Sequence, residues 1–457
     1  MIFFIAFFNE LHQSLIEDIL NEKNRFIIRT IPFINDANLL DIKVIFTFAH
    51  TFNNMQVGAV IYLNSKNYSI IIPPKRAALI TQEKLLMNKI KMRAARMHEK
   101  GKPLVIDHID VPDVRPTEVL VRVKACGLVP NLQNVLQKWD EIAPDLPLPE
   151  MPAIFGLDVS GVVESVGERV RDFNPGDRVY VNPLRFCGSC SACRNGHSLD
   201  CDRMILNGYF GIRPESKALF EDYRYGGYAE FMPAPQNSLV RIPDNLNFNT
   251  AARFGYLGTA YRALKRGKVG PGKTVLINGV TGTLGLGAVA LALALGARQV
   301  LGTARDESLF ERVRTLGEPG RIEILKSGTE SVKEWSQRIT GGRGVDVVID
   351  ALSPGAPGKP MQDAIESLNR GGCIVDVGSV NEKVPLDVFW MMSNNISFIG
   401  SSWFSAEQGQ EMADLAETGV LDLAFYDNQP YLLDDINKAV SDTEDRQGGF
   451  TNIIVNP

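Results

Sequence analysis

The alternation of strand, glycine turn and helix between about residues 250 and 402 restricts the fold of this chain more than any other feature. Val275-Leu-Ile-Asn-Gly-Val-Thr-Gly-Thr-Leu-Gly285 reads as a strand that closes in glycines at 279, 282 and 285 and opens an Ala/Leu-rich helix to Leu295. Strand-like runs recur at 299–303, 345–350 and 373–377. Consecutive parallel strands need a long crossover, which a helix supplies. The rhythm therefore predicts an α/β fold with a doubly wound parallel sheet and helices on both faces.

A glycine turn at the head of a helix lets the backbone approach a ligand closely, and the unpaired N–H groups there favour a phosphate. Gly279, Thr281, Gly282, Thr283, Leu284 and Gly285 are therefore candidates to hold a dinucleotide. The spacing is G-x-x-G-x-x-G, so the strand before and the helix after carry the argument rather than the motif. At the end of the next strand, Thr303-Ala-Arg-Asp306 stands where an NAD site would place an acid for the ribose 2′-hydroxyl. Ala304 removes that acid and Arg305 offers a guanidinium to a 2′-phosphate, so Thr303 and Arg305 point to NADP(H). A shift of register would put Asp306 on the ribose and favour NAD(H) instead.

Four of the six cysteines, Cys187, Cys190, Cys193 and Cys201, form a C-x2-C-x2-C-x7-C cluster. Such spacings let one loop wrap four thiolates around a tetrahedral ion, and a closed all-thiolate shell suits one structural Zn2+ with no position open for chemistry. Two disulfides would suit a small secreted domain better than a chain of 457 residues. An iron–sulfur cluster is the remaining competitor.

From 92 to 249, short β-rich runs broken by Gly and Pro, such as Glu118-Val-Leu-Val-Arg-Val-Lys124, predict a small barrel-like domain carrying the metal loop. Residues 250–402 are the dinucleotide-binding domain, and 403–457, with one helical stretch and a last strand, are expected to return to the first domain. Residues 1–91 are rich in Phe, Ile and Asn and show no sustained periodicity. They read as an N-terminal extension of unknown role, either an accessory subdomain or a disordered or foreign segment ahead of a start at Met92. A formal net charge of −5 leaves no basic surplus for nucleic acid. No run reaches the roughly 20 apolar residues that span a bilayer, and the first eight residues lack a basic flank, so a cytoplasmic protein with no membrane partner is expected.

Residues 92–457 resemble the medium-chain dehydrogenase/reductase superfamily, the zinc alcohol dehydrogenase and quinone oxidoreductase group. The likeness rests on Gly161-Val-Val-Glu-Ser-Val-Gly167, Gly176-Asp-Arg-Val179, the four-cysteine lobe, Gly226-Gly-Tyr-Ala-Glu230, Thr259-Ala-Tyr-Arg-Ala-Leu264 and the glycine turn. The resemblance implies a GroES-like β-rich catalytic domain, a Rossmann domain, an active site between them, and a homodimer or homotetramer. It also places the ligands of a catalytic zinc at Val129, Leu157 and Gly255, none of which is a ligand. Without that Lewis acid, reduction of an activated C=C is the first expectation, since hydrogen-bond donors can hold an enolate. Redox at a C–OH or C=O group is the second, and a non-catalytic cofactor-binding sensor the third. Asn131, where the zinc enzymes carry a proton-relay hydroxyl, Asp158, at the former glutamate, and Tyr256 are the candidate catalytic residues. Phe389-Trp-Met-Met392 and the insertion 202–225 suggest a bulky apolar small-molecule substrate, although the former would equally suit a subunit interface.

Overall fold

The computed structural model describes residues 90–457 apart from Asp445, together with the backbone of strands between Phe26 and Ile72. The chain divides after Lys89 into two compact units. In the first, Phe26–Asn35, Asn38–Thr51, Asn54–Leu63 and Tyr68–Ile72 pair in sequence order as an antiparallel sheet. Regular strands thus occur where the sequence shows no alternation. Runs such as Val44-Ile-Phe-Thr-Phe48 place β-branched and aromatic residues at successive positions, which gives strand propensity without a period of two.

In the second unit, one large sheet joins Leu239–Arg241, Arg178–Val181, Asp158–Val166, Glu118–Gly127, Thr451–Asn456 and Asp427–Leu432 in that order. Phe231–Pro235 also pairs with Glu118–Gly127. Val121, Val123 and Ala125 are buried while Arg122 and Lys124 between them are exposed, the pattern of a strand with one wet face. The other large sheet is wholly parallel, in the order Ile322–Lys326, Gln299–Ala304, Thr274–Asn278, Val345–Asp350, Leu368–Asp376 and Ser397–Gly400. Its order reverses between Thr274–Asn278 and Val345–Asp350, and the crevice at that switch point is where such sheets take ligands.

Every residue of Thr274–Asn278 is buried. The following helix, Thr283–Ala294, is apolar on nearly all sides because it packs both on this sheet and against helix Phe254–Arg266. After residue 403 the chain forms two helices, Ala406–Glu417 and Ile436–Asp442, rather than one. The second has seven residues, too few to show a period in the sequence. Thr451–Asn456 then runs antiparallel to Glu118–Gly127, setting Val455 opposite Cys126. Among the described residues, no helix is long and apolar enough to cross a membrane.

Candidate active site, cofactor turn and metal lobe

Asp158 begins the strand Asp158–Val166 and is 1% exposed. Tyr180 Oη donates to Asp158 Oδ1 at 2.8 Å from the neighbouring strand. The backbone N–H of Gly255, in the first turn of helix Phe254–Arg266, hydrogen-bonds the same carboxyl. With the Asp158 carboxyl where it stands no side chain fits at 255, because a Cβ there would lie 2.1 Å from Asp158 Oδ1 and 2.6 Å from Oδ2. The carboxyl therefore fills the space that a residue at 255 would need. Burial drives the Asp158 pKa up to about 7, against the pull of Tyr180, Arg253 and the Gly255 N–H. The buried Cys126 thiol beside it is likewise pushed well above its usual range by burial.

Asn131 is half-buried at the start of helix Leu132–Ile142, and its Oδ1 accepts from Asn134 Nδ2 at 2.8 Å instead of capping the helix. Its side chain also hydrogen-bonds the phenol of Tyr209. Tyr256 is half-buried in the first turn of helix Phe254–Arg266, where burial lifts its phenol above the usual range and Arg253 pulls it down. Tyr209, which no motif singles out, joins these residues. It is buried, feels the charges of Tyr256 and Asp158, and touches Asn131. The turn that presents it is fastened by Gly156 N donating to Gly208 O at 3.0 Å, so the segment carrying Asp158 holds the segment carrying Tyr209. Phe389–Met392 is not part of this group. Trp390 and Met391 pack on the Rossmann core, and Phe389 and Met392 are exposed near the edge strand Ser397–Gly400.

In the glycine turn, Gly279 N and Val280 N both donate to Thr303 O, at 3.0 and 2.9 Å. Gly282 caps the helix Thr283–Ala294, and a Cβ at 285 would lie 2.2 Å from Gly279 O, so glycine is required for the turn to close. Thr281 O accepts from Gly449 N at 2.8 Å, and Leu284 is half-buried. The Thr283 hydroxyl, in a residue 7% exposed, has no partner. An orphaned buried hydroxyl at a helix N-terminus is what a phosphate oxygen would satisfy, and the turn fits a dinucleotide. Thr303 faces inward instead: its hydroxyl donates to Asn278 Oδ1, and Asn278 Nδ2 donates to Asp350 Oδ1 at 2.7 Å. Arg305 is exposed and makes no ion pair among the described residues. Asp306 caps the turn Glu307–Leu309, its Oδ1 accepting from Ser308 N at 3.0 Å and Ser308 Oγ at 2.6 Å, which holds its carboxyl below the usual range.

The four Sγ atoms of Cys187, Cys190, Cys193 and Cys201 all lie within 4.8 Å of one another. Zinc–sulfur bonds of about 2.3 Å set sulfur–sulfur edges of roughly 3.8 Å, and Cys187 and Cys201 Sγ stand 3.6 Å apart. Backbone N–H groups pull toward the thiolates: Cys190 N donates to Cys187 Sγ at 3.3 Å, and Cys187 N and Arg203 N donate to Cys201 Sγ at 3.4 Å each, although at Cys201 burial outweighs them and raises the thiol. The Ser189 N–H leads the effects that bring the Cys187 thiol down to about 5. Among the described residues this is the one set of three or more His, Cys, Asp or Glu donors placed to hold a metal.

Known proteins are similar to this chain in sequence and fold. Residues 115–244 match the alcohol dehydrogenase GroES-like domain, and residues 283–418 match the zinc-binding dehydrogenase family. An alcohol dehydrogenase of Geobacillus stearothermophilus is 34% identical over 331 residues, 72% of this chain and 90% of that protein. A quinone oxidoreductase-like protein 2 homolog of Nematostella vectensis is 28% identical over 79% of this chain and 87% of its own length. The crystal structure of AibC is similar with a TM-score of 0.69 and 28% identity, covering 82% of this chain and 98% of that one. The chain belongs to the zinc-binding dehydrogenases of the medium-chain dehydrogenase/reductase superfamily, a family of oxidoreductases.

Elemental analysis is expected to find one zinc per chain; Cys187→Ser or Cys201→Ser should release it and lower the melting temperature by on the order of 10 °C. Two zinc ions per chain would contradict the assignment of the cysteine lobe as the single site. Asp158 gives a second expectation. Its folded pKa of about 7 lies above that of an unfolded aspartate, so the stability it contributes is full in acid and is lost as pH rises toward 7. Asp158→Asn should remove this loss, gaining on the parent by about 4 kcal/mol between pH ~4 and ~8. Denaturant titrations of both proteins at the two pH values measure it, and parallel stability profiles would refute it.

Proposed function

We propose that this chain is an NADP(H)-dependent reductase of an activated C=C bond, enone- or quinone-like, that works without a metal at the reaction centre. The fit between Asp158 and Gly255 carries this reading. Of the three positions where zinc enzymes of the superfamily hold a catalytic ion, Val129 and Leu157 are buried hydrocarbon, and a side chain at 255 is excluded by the Asp158 carboxyl. Charge developing on the substrate must then be held by protein hydrogen-bond donors, and an enolate, delocalised over oxygen and carbon, is the anion that side chains hold best.

Gly279, Gly282, Thr283 and Gly285 would hold the diphosphate of NADPH, and the cofactor so bound would supply the hydride. The Asn131 amide and the phenols of Tyr209 and Tyr256 are the donors for the enolate oxygen. Asp158, half protonated near neutral pH, is the acid that completes the addition at the α-carbon. Tyr209 stacks near Phe210, with ring centres 4.6 Å apart, and Phe210 lies 4.7 Å from Trp139, an aromatic backing that suits a bulky apolar substrate. Exposed Arg305, with Asp306 committed to Ser308, supports NADP(H) over NAD(H). The cysteine lobe holds one structural zinc. Val388, Phe389 and Met392, between 65% and 74% exposed near the edge strand, support a homodimer or homotetramer. The quinone oxidoreductase-like relative favours the C=C reading, and the alcohol dehydrogenase relatives make carbonyl reduction the second.

Product analysis with NADPH and a panel of enones, quinones, aldehydes and ketones decides between them. Saturated ketones from enones are expected. Alcohols from simple aldehydes with enones untouched would transfer the function to the carbonyl reading. Asn131→Ala and Tyr209→Phe should each lower kcat at least about tenfold with a smaller change in KM, because their bonds strengthen as the enolate forms. For the cofactor, Arg305→Ala should raise the KM for NADPH about tenfold and barely alter that for NADH. A parent enzyme that prefers NADH would instead assign the ribose to Asp306.

A further inference from the structure

Arg253 is a guanidinium 2% exposed, and no carboxylate lies within ion-pair distance of it among the described residues. Its Nη2 donates to Thr451 O at 2.6 Å and its charge lies 5.7 Å from the ring centres of both Tyr256 and Tyr426, while Nε has no partner. A buried cation in this state is costly unless an anion joins it. Arg446 is a second cation close by and is exposed to solvent: its Nη1 donates to Thr443 O at 2.7 Å, and partial desolvation and the like charge of Arg253 are among the effects that lower its pKa.

Both arginines are tied to the glycine turn. Three residues beyond Arg446, Gly449 N donates to Thr281 O at 2.8 Å, and Thr451, which accepts from Arg253, follows two residues later. Two more buried hydroxyls without partners stand at the same helix, Thr283 Oγ1 in its first turn and Tyr426 Oη, 3.8 Å from where a Cβ on Gly287 would be. One buried guanidinium without a counter-ion among the described residues, the exposed Arg446 and two orphaned hydroxyls thus stand on segments that meet at this helix, whose N-terminus itself favours anions.

Arg253 also acts on Asp158: its positive charge favours the carboxylate, which accepts from the N–H of Gly255 two residues further on. The groups around that carboxyl are Tyr180, Cys126, Tyr209, Tyr228, Tyr256 and Arg253. Burial raises the pKa of the thiol and of the four phenols, so they stay neutral. Arg253 is the one cation of the set.

We propose that Arg253 and Arg446 receive the diphosphate of the dinucleotide, and that a diphosphate neutralising Arg253 frees Asp158 from its cation, so that cofactor binding loads a proton from solvent onto the Asp158 carboxyl. The sign follows from the charges. Arg253 favours the carboxylate, and an anion beside Arg253 opposes it, so the carboxyl is more fully protonated when the hydride donor is in place. The inference rests on the reading of Asp158 as the acid, and adds that the acid is armed by the cofactor. The proton moves from buffer to Asp158 on binding and from Asp158 to the α-carbon during reduction.

Calorimetric titration of the full-length protein with NADPH, without substrate, in two buffers of different ionisation enthalpy near pH ~7.5, reads the proton exchanged per cofactor bound. A few tenths of a proton taken up by the parent, and none by Asp158→Asn, is expected. Arg446→Gln changes an exposed residue and should fold normally while binding NADPH about tenfold more weakly. Arg253→Gln, where circular dichroism shows it folded, should lose both affinity and uptake. No proton exchange in the parent, uptake that persists in Asp158→Asn, or unchanged NADPH affinity in Arg446→Gln each overturns the proposal. In the last case the arginines serve an acidic substrate instead, which an acidic inhibitor binding more weakly to Arg446→Gln would show. Failure of the C=C reading would appear in the products alone, with the uptake intact.

Discussion

The burial of the Asp158 carboxyl draws together groups from distant parts of the chain. Tyr180 approaches it from the β domain, and the Gly255 N–H and the Arg253 charge approach from the segment that leads into the Rossmann domain. An ionised carboxyl out of water costs several kcal/mol unless it is hydrogen-bonded or paired. The first turn of helix Phe254–Arg266 offsets part of that cost through the Gly255 N–H, and burial still leaves the carboxyl raised to about 7. A docking contact and a titratable site are here one object. A substitution at 255 would disturb both, since added bulk meets the carboxyl before it meets anything else.

The same economy appears at the C-terminal return. The stretch from Arg446 to Asn456 bonds the glycine turn through Gly449, accepts from Arg253 through Thr451, and enters the β sheet through Val455. Asn452 continues the stitching, its Nδ2 donating to Asn249 O at 2.9 Å and to Asn428 Oδ1 at 2.8 Å. Eleven residues thereby touch the glycine turn, the residue before helix Phe254–Arg266 and the large antiparallel sheet.

Some of this was legible in the sequence and some was not, and the division follows the range of the forces involved. The glycine turn and the cysteine lobe depend on backbone reach over a few residues, so the strand and helix flanking the turn, and the spacing of the four cysteines, make both legible in the sequence. Asp158 is visible through its place beside an altered ligand position, whereas its clash with any side chain at 255 arises only when strand Asp158–Val166 and helix Phe254–Arg266 pack together. Tyr209 was hidden because an insertion without a motif reaches the site through a backbone bond between Gly156 and Gly208. Arg253 reads as one charge before an apolar helix, and nothing local says that it is buried without a counter-ion. Thr303 sits where a ribose contact is expected, yet the sheet claims its hydroxyl for Asn278. The strands of the first 89 residues escaped notice because their apolar residues are consecutive rather than alternating.

The pairing of Ile454 with Gly127 also orders events in time. Glu118–Gly127 is a central strand of the β domain, but one of its neighbours is not synthesised until the whole Rossmann domain has been made. The parallel sheet is contiguous in sequence and has all its strands by residue 400. During translation the parallel sheet can therefore complete its strands first, while the Gly127 end of strand Glu118–Gly127 waits for its partner, and unpaired strand ends are prone to wrong partners. Closing the loop between residues 127 and 454 is a late, long-range step of the kind that slows folding. For this chain, the exposure to misassembly is greatest in the interval between emergence of the cysteine lobe and arrival of the last strand.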